Sequence, residues 1–304
     1  MADFELHILG CGSASPTTRH LATSQIVNLR DKLYMIDCGE GTQVQMRHRR
    51  IKFNRLTHIF ISHLHGDHCF GLPGMISTLG MLGRTGDLFI HGAKEMEDYL
   101  QPILDRFCNG LLFKVRFNAI DPDKHALVME DRSVKVYSIP LKHRIPTCGF
   151  LFEEKEKEAH LIPEVADFYR IPISMRQDIK QGQDYVTPSG ERIPNARLTR
   201  PATPPKRYAY CSDTAFSPDI VPLIHGVDLL YHEATFHEAD AARAKDTWHA
   251  TASQAAEIAR RAQVKKLVIG HFSSRYESDY PLKQEADKVF PGTILANEGL
   301  VVAV

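Results

Sequence analysis

The chain has 304 residues, of which 43% are hydrophobic and 24% are charged, which is enough material for one large α/β domain or two small ones. Lysine and arginine together number 37, as do aspartate and glutamate, so the overall charge favours no particular class of partner. The sequence contains no run of about 18 apolar residues, and we therefore expect no membrane-spanning helix.

Cysteine usage and the N-terminus both indicate a reducing compartment. The six cysteines are scattered and form no Cys-x-x-Cys pair, which is typical of reduced thiols. The first residues lack a cationic start and a long apolar run, so the sequence predicts no signal peptide. We therefore expect a cytoplasmic protein.

Short apolar runs and longer amphipathic segments alternate along the chain. The runs predict strands at residues 4–9, 24–29, 33–36, 58–61, 88–91, 111–117, 134–139, 149–152, 208–211, 229–232, 266–269, 293–295 and 301–304. The amphipathic segments predict helices at residues 41–48, 71–82, 95–107, 218–224, 251–262 and 282–289. Single helices separate strand-rich stretches, which favours an α/β fold of two stacked mixed sheets with helices outside.

A cationic run without an acidic residue begins within the first predicted helix and continues beyond it. It contains Arg47, Arg49, Arg50, Lys52 and Arg55. Such a run is either a solvated helix end or a contact for a phosphate backbone, and the sequence leaves both interpretations open.

The stretch from His63 to His68 carries the most chemical information. It reads His-Leu-His-Gly-Asp-His and directly follows the apolar run at 59–61. His63 and His65 can converge on one metal ion, which leaves Asp67 and His68 to reach a second. Imidazole and carboxylate donors suit Zn²⁺ and, less specifically, Mn²⁺ or Fe²⁺. Two divalent ions held close together are a common device for attacking phosphodiesters.

Residues 155–200 interrupt this pattern of strands and helices. An acidic stretch at 153–158 opens the segment, which is polar and punctuated by prolines. A structureless loop of this length is uncommon inside a compact domain. It is either a surface excursion, packed locally or at an oligomer interface, or a substrate-binding arm. We treat the chain as one domain over 1–304 with an inserted arm at about 155–200.

Three further ligand candidates each follow a predicted strand. They are His143, Asp213 and His271. Taken singly, each could be an ordinary hydrogen-bonded polar residue. Together they repeat one geometry, in which donors lie at strand ends along one edge of the sheets.

Several loops match a known pattern. They are 10–16, 37–43, 62–68 with 71–74, 212–214, 232–236, 249–251 and 270–273. With the strand–His-x-His-x-Asp-His stretch, they resemble the ribonucleases Z, the transfer RNA 3′-processing endonucleases of the metallo-β-lactamase superfamily. The loops that begin at His232 and His249 are the most specific. The resemblance implies a four-layer αββα sandwich of two mixed β-sheets with outer helices.

The same resemblance implies two zinc ions per chain, with Mn²⁺ as an alternative, held by seven side chains. The first ion is bound by His63, His65 and His143, the second by Asp67, His68 and His271, and Asp213 bridges both.

Three side chains have expected roles in the reaction, and only that of His249 is implied by the resemblance. Asp67 is the expected general base, and His249 is the expected proton donor to the leaving 3′-oxygen. Glu233 is expected to orient His249 by accepting its other N–H. Asp37, at the end of a predicted strand, is interpreted as a brace for the ligand loop.

The implied activity is removal of the 3′ trailer from transfer RNA precursors, which leaves a 3′-hydroxyl on the transfer RNA and a 5′-phosphate on the trailer. A homodimer is also implied. Two alternatives stay open: a dinuclear phosphodiesterase acting on a small or cyclic nucleotide, and a non-catalytic RNA-binding subunit. The complete ligand set argues against the latter.

The inserted segment departs from the family pattern. It lacks a clear Gly-Pro pair, and the acidic stretch at 153–158 replaces an expected basic loop. Arg192, Arg197 and Arg200 are its candidate phosphate contacts.

Overall fold

Two seven-stranded sheets form the larger of two compact units in the computed structural model, which describes residues 3–304. The first sheet has the spatial order Val301–Ala303, Phe4–Gly10, Ser24–Leu29, Lys32–Cys38, Leu56–Phe60, Leu88–Gly92 and Val115–Ala119. Its first four strands are antiparallel neighbours, and its last four are parallel neighbours. This sheet is therefore mixed, as predicted.

The second sheet has the spatial order Ile294–Leu295, Leu267–Gly270, Leu229–Glu233, Arg207–Cys211, Cys148–Glu154, Val134–Pro140 and Leu127–Glu130. Its first four strands are parallel, and Cys148–Glu154 pairs antiparallel with Arg207–Cys211. The ends of the parallel strands lie along one edge, which is where ligand-bearing loops are expected in such sheets.

Side chains that alternate between the two faces of each strand explain why the sheets and helices form layers. Tyr34 and Ile36 belong to a core shared with the second sheet, whereas Leu33 and Met35 belong to a core shared with helices. Successive side chains of a strand point to opposite faces, so one strand serves both cores. The result is the four-layer αββα arrangement that the resemblance implied.

Helices cover the outer faces of both sheets. Their bounds in this unit are Thr42–His48, Gly66–Cys69, Leu72–Met81, Glu95–Phe107, Ala241–Thr247, Ala252–Arg261 and Tyr280–Asp287, with single 3₁₀ turns at Phe53–Arg55, Pro218–Ile220 and Glu238–Asp240. No helix within residues 3–304 has the length and apolarity needed to cross a bilayer.

Two of the predicted elements were wrong in extent. The strand predicted at 111–117 lies at Val115–Ala119, because the apolar residues Leu111 and Phe113 pack as a loop against the first sheet's outer core. The helix predicted at 218–224 is only the 3₁₀ turn Pro218–Ile220, followed by further turns.

The second compact unit is Glu154–Pro205. It contains three helices and two short strand pairs: Pro163–Phe168, Ile173–Lys180 and Asn195–Leu198, then His160–Leu161 with Thr199–Arg200 and Tyr185–Val186 with Arg192–Ile193. Its own small core includes Ala166, Ile179 and Leu198. The segment is therefore folded, not structureless, in spite of its polar sequence.

Candidate metal centre

All seven predicted ligands lie together, in loops that follow strands and in the short helix Gly66–Cys69. His63, His65, Asp67 and His68 come after Leu56–Phe60, and the other three come after the strands Val134–Pro140, Arg207–Cys211 and Leu267–Gly270. Asp213 and His271 have φ angles of 59° and 60°, in the left-handed region that non-glycine residues seldom adopt. Such conformations concentrate at functional sites, where surrounding structure holds them.

Three imidazoles form one half of the centre. Nδ1 of His65 lies 2.9 Å from Nε2 of His63 and 3.3 Å from Nε2 of His143. Oδ2 of Asp213 lies 3.6 Å and 3.8 Å from the same two Nε2 atoms. These four ligand atoms converge as the donors of a single ion do.

The other half contains Asp67, His68 and His271. Oδ2 of Asp67 lies 3.5 Å from Nε2 of His68 and 3.6 Å from Nε2 of His271. Oδ1 of Asp213 lies 3.2 Å from each of these nitrogens. The two oxygens of Asp213 therefore face different groups of histidines, which is the geometry of a bridging carboxylate.

The donor set fits a pair of divalent cations. Nε2 of His68 and Nε2 of His271 are buried without a hydrogen-bond partner, and leaving such atoms unmatched is costly. Nδ1 of His143 lies 3.0 Å from the carbonyl of Trp248, so this nitrogen carries the proton and Nε2 keeps its lone pair. A histidine whose outer nitrogen is fixed in this way is typical of metal ligands.

Electrostatics at the first group of histidines and at Asp213 support the same interpretation. Burial lowers the pKa of His63, His65 and His143, which favours their neutral, metal-binding form. Burial also opposes the ionised form of Asp213, but the neighbouring imidazoles outweigh it and hold the pKa of this carboxyl well below its usual range. Asp213 is therefore a carboxylate.

Asp37 orients His68, one of the ligand candidates of this centre. Its buried Oδ2 lies 2.8 Å from Nδ1 of His68 and accepts hydrogen bonds from the hydroxyls of Tyr210 at 2.6 Å and Ser62 at 3.0 Å. Its Oδ1 accepts the backbone N–H of Ser62 at 2.8 Å. Asp37 thereby fixes the proton of His68 on Nδ1 and directs Nε2 into the centre.

Glu233 and His249 lie beside the second half. Nδ1 of His249 is 2.8 Å from Oε1 of the fully buried Glu233. The same oxygen accepts the N–H of Thr214, and Oε2 of Glu233 accepts the N–H of Ala250. Burial opposes protonation of His249, but the charge and hydrogen bond of Glu233 outweigh it and raise the pKa of His249 to about 9. Because Nδ1 is occupied, Nε2 is the nitrogen available to a substrate.

Thr235 connects Glu233 to His271, a role that the sequence did not indicate. Its hydroxyl donates to Oε2 of Glu233 at 2.6 Å and lies 3.0 Å from Nδ1 of His271. One hydroxyl therefore links a metal-ligand candidate to the buried carboxylate that holds His249.

The loop before the second strand covers the centre. The backbone N–H of Ala14, whose φ is 61°, donates to Oδ2 of Asp67 at 2.7 Å. The loop is anchored by the buried His20, whose nitrogens lie 2.7 Å from Oδ2 of Asp279 and 3.0 Å from Oε2 of Glu298. Burial opposes charge on His20, but hydrogen bonds to these two carboxylates outweigh it and raise its pKa to about 12.

The centre opens into a cleft of about 710 Å³. Its walls carry the cationic side chains of Arg144, Arg243 and Arg275, together with the exposed ring of Phe70. These arginines were not predicted from the sequence, because each stands alone in the chain and only the fold brings them to one cleft.

Other singled-out residues have identifiable contacts. In the cationic run, Arg49 donates to the carbonyl of Glu298, and Arg55 pairs with Asp31 at 3.1 Å. Thr251 caps the helix Ala252–Arg261.

The three arginines proposed for the inserted segment differ in their contacts within that unit. Arg192 pairs with Asp184 at 2.7 Å, Arg197 donates to the hydroxyl of Tyr169 at 3.2 Å, and Arg200 is exposed.

Comparisons with known proteins agree with this geometry. Residues 4–155 match the family model described as Anti-Pycsar protein Apyc1, and residues 196–272 match the beta-lactamase superfamily domain. The chain is 74% identical over 304 residues to a protein of Parabacteroides distasonis named Ribonuclease Z, with all of both chains covered. A Ribonuclease Z of Porphyromonas gingivalis is 62% identical, with 98% of each chain covered.

Solved structures give the same result. Human tRNase Z, short form, aligns over 99% of both chains with a TM-score of 0.71 and 26% identity. The metallo-beta-lactamase fold protein YhfI from Bacillus subtilis aligns over 98% of both chains with a TM-score of 0.68, and its 17% identity supports the fold alone. The chain belongs to the ribonuclease Z family of the metallo-β-lactamase superfamily.

Proposed function

We propose that this protein is a metal-dependent endoribonuclease that removes the 3′ trailer from transfer RNA precursors by hydrolysing a phosphodiester. The products are a transfer RNA with a 3′-hydroxyl and a trailer with a 5′-phosphate. The observation that carries the proposal is the position of Asp213, whose two oxygens face two separate groups of ligand atoms at the base of an arginine-lined cleft. Full-length similarity to proteins named Ribonuclease Z supports the choice of substrate.

The metals are proposed to be two zinc ions, held by His63, His65, Asp67, His68, His143, Asp213 and His271. When bound, they supply Lewis-acid stabilisation of phosphoryl charge and activation of water near neutral pH. The donors are imidazoles and carboxylates, which Zn²⁺ binds well and Mn²⁺ also accepts.

Asp67 is proposed to act as the general base. Its Oδ2 lies among ligand nitrogens at the base of the cleft and is oriented by the N–H of Ala14. Nearby imidazoles outweigh the effect of burial and hold the pKa of this carboxyl far below its usual range, so it is ionised. A fixed carboxylate can accept a proton from a nucleophile that approaches phosphorus.

His249 is proposed to donate the proton that the leaving 3′-oxygen requires. It lines the cleft with Asp67 and Asp213, and Glu233 holds its Nδ1–H, so Nε2 points away from that bond. Glu233 thus acts as a positioning residue, fixed in turn by backbone N–H groups of two loops.

The arginines of the cleft are proposed to bind the RNA backbone. Arg144 and Arg243 are exposed on its walls, where guanidinium groups can pair with phosphate oxygens. Binding of this kind weakens with added salt, because counterions are released when phosphates are neutralised.

The decisive test is incubation of the purified protein with a trailer-bearing transfer RNA precursor, with and without chelator. We expect cleavage at the base of the trailer, a 3′-hydroxyl and a 5′-phosphate at the new ends, and loss of cleavage on metal removal. The His249→Ala variant should retain metal by elemental analysis while losing about 10²–10⁴-fold in rate. Cleavage at unrelated positions, or full turnover with chelator, would contradict the proposal.

The inserted segment, observed as the compact unit Glu154–Pro205, is proposed to hold the folded part of the transfer RNA. The strands Cys148–Glu154 and Arg207–Cys211 are antiparallel neighbours, with Glu153 opposite Arg207, so a two-residue turn can replace the segment. This deletion should abolish cleavage of folded precursors while sparing a small chromogenic diester. Equal loss on both substrates would contradict the arm's role, and equal retention would favour a small-nucleotide substrate.

A homodimer and a cytoplasmic location complete the proposal. The six cysteines are unpaired, which is typical of reducing compartments. Light scattering of the purified protein tests the dimer directly.

A further inference from the structure

We propose that Phe70 is a stacking platform for a nucleobase that flanks the scissile phosphate. This inference rests on the proposed function and deepens it, because it identifies a contact with a base where the arginines provide contacts with phosphates. Phe70 itself has no role in the reaction chemistry proposed above.

Phe70 presents an aromatic ring to the same cleft as the metal-ligand candidates. The side chain is 58% exposed, although it follows the buried His68 and Cys69 by only one or two positions. Most of its neighbours along the cleft are polar or charged. Exposing a large apolar side chain at such a position loses the benefit of burial, and exposed apolar surface of this kind is typical of binding sites.

The ring is held in place by the metal-ligand loop itself. A Cβ atom at Gly66 would lie 2.4 Å from the ring, so the glycine of the His65-Gly66-Asp67 sequence makes room for it. The N–H of Phe70 donates to the carbonyl of Gly66 at 2.9 Å, and the N–H of Gly71 donates to Cys38 at 2.8 Å. A ring carried by backbone that is already ordered loses less conformational entropy on stacking than a ring on a mobile loop.

The surrounding charge identifies the ligand as a nucleotide. Arg144 and Arg243 provide exposed guanidinium groups in the cleft that also contains the apolar ring. An aromatic face combined with cations is the chemistry that binds single-stranded nucleic acid, because bases stack while phosphates pair with arginine. Stacking also tolerates every base, because each base has an aromatic face.

The experiment compares three variants on three precursors. Phe70→Ala removes the ring, Phe70→Tyr retains it, and Phe107→Ala removes a ring that is 77% exposed on the helix Glu95–Phe107, outside the cleft. One precursor is intact, and the other two each carry a single abasic nucleotide, on the 5′ or the 3′ side of the scissile phosphate. The readouts are kcat/KM, the dissociation constant for precursor, and metal content.

With the intact precursor, Phe70→Ala should reduce kcat/KM by roughly 5- to 150-fold, the range for loss of one stacked base. Phe70→Tyr and Phe107→Ala should remain close to wild type, and all variants should hold equal metal. One of the abasic precursors should be cleaved equally by wild type and Phe70→Ala, because the ring then has no base to contact.

Two results would overturn the inference. The first is a wild-type kcat/KM for Phe70→Ala on the intact precursor. The second is a kcat/KM of Phe70→Ala that is reduced, relative to wild type, by the same factor on both abasic precursors as on the intact one. A failure of the proposed function is distinguishable, since the wild-type protein would then cleave none of the precursors.

Discussion

Replacement of Asp37 by asparagine tests the claim that a buried carboxylate outside the ligand set controls metal binding. Asp37 is fully buried and accepts four hydrogen bonds, three at Oδ2 and one at Oδ1. Asparagine has almost the same shape but must present an NH₂ group at one of these two positions. In either orientation, the NH₂ group of asparagine therefore faces a hydrogen-bond donor of the protein.

The two orientations have different costs. If NH₂ replaces Oδ2, the hydroxyls of Tyr210 and Ser62 can rotate and accept, but the Nδ1–H of His68 cannot. His68 can then relieve the clash only by moving its proton to Nε2, which removes the lone pair directed into the centre. If NH₂ replaces Oδ1, it opposes the backbone N–H of Ser62, and a buried unsatisfied donor costs about 1–3 kcal/mol of stability.

The expected result follows from the first orientation. We expect Asp37→Asn to reduce metal affinity by about 10- to 100-fold, the range for loss of a group that orients a metal-binding histidine. Competition with a fluorescent zinc chelator measures this affinity, and thermal unfolding of the metal-free forms measures the structural cost. Activity should recover in part at high metal concentration.

A matched control separates metal binding from general destabilisation. Asp228 is also buried and accepts the backbone N–H of Arg207 at 2.8 Å, but its other partners are Lys206 and Lys265. Asp228→Asn should lower the melting temperature and leave metal affinity unchanged. The reasoning would be refuted if Asp37→Asn bound two metals with wild-type affinity, or if both variants lost affinity equally.

Three further predictions follow from other buried contacts. Glu233→Gln should reduce turnover of a precursor by about 10²-fold or more with metal content unchanged, because the amide removes the negative charge that keeps His249 protonated and puts an NH₂ group at one of the two acceptor positions; wild-type turnover would remove its positioning role. The pKa of His20 is about 12 in the fold and 6.5 without it, so its stabilising effect is complete below pH 6.5 and declines as pH rises toward 12. The difference in melting temperature between wild type and His20→Gln should therefore be larger at pH 6 than at pH 9. A constant difference would contradict a positive charge on His20 between Asp279 and Glu298. Gly71→Ala places a Cβ 2.1 Å from a backbone oxygen and should cost about 1–3 kcal/mol by chemical denaturation, whereas Gly86→Ala, which has open space, should cost little.

The sequence predicted the location of the site better than its internal connections. Apolar runs marked the strands, and ligands that follow strands such as Leu267–Gly270 needed only the fold to bring them together. The strand Leu127–Glu130 and the helix Ala241–Thr247 were missed, because each is short and mostly exposed and so leaves a weak apolar pattern. Short elements at the surface are stabilised by tertiary contacts that local sequence does not report.

The inserted segment shows the limit of composition as a guide. Its many polar residues and prolines allowed no helix or strand to be predicted, yet Ala166, Ile171, Ile179 and Leu198 are buried together in a core of its own. A unit of this size needs few apolar residues, and prolines at the first turns of helices such as Pro163–Phe168 promote the start of a helix and do not break it. The positions of the prolines, and not their number, therefore decide whether such a segment forms helices.

Backbone conformation explains why the ligand geometry itself was not predictable. Asp37, Asp213 and His271 all adopt left-handed φ angles of 55–60°, which cost energy for residues with a side chain. Local preferences alone would not select them, and the cost is offset only when the neighbouring contacts form. Those contacts come from distant parts of the chain, as when Thr235 lies 3.0 Å from Nδ1 of His271 and Tyr210 donates to Asp37. The centre is therefore a property of the assembled sheets, and variants of these supporting residues should alter metal affinity even though they donate no ligand atom.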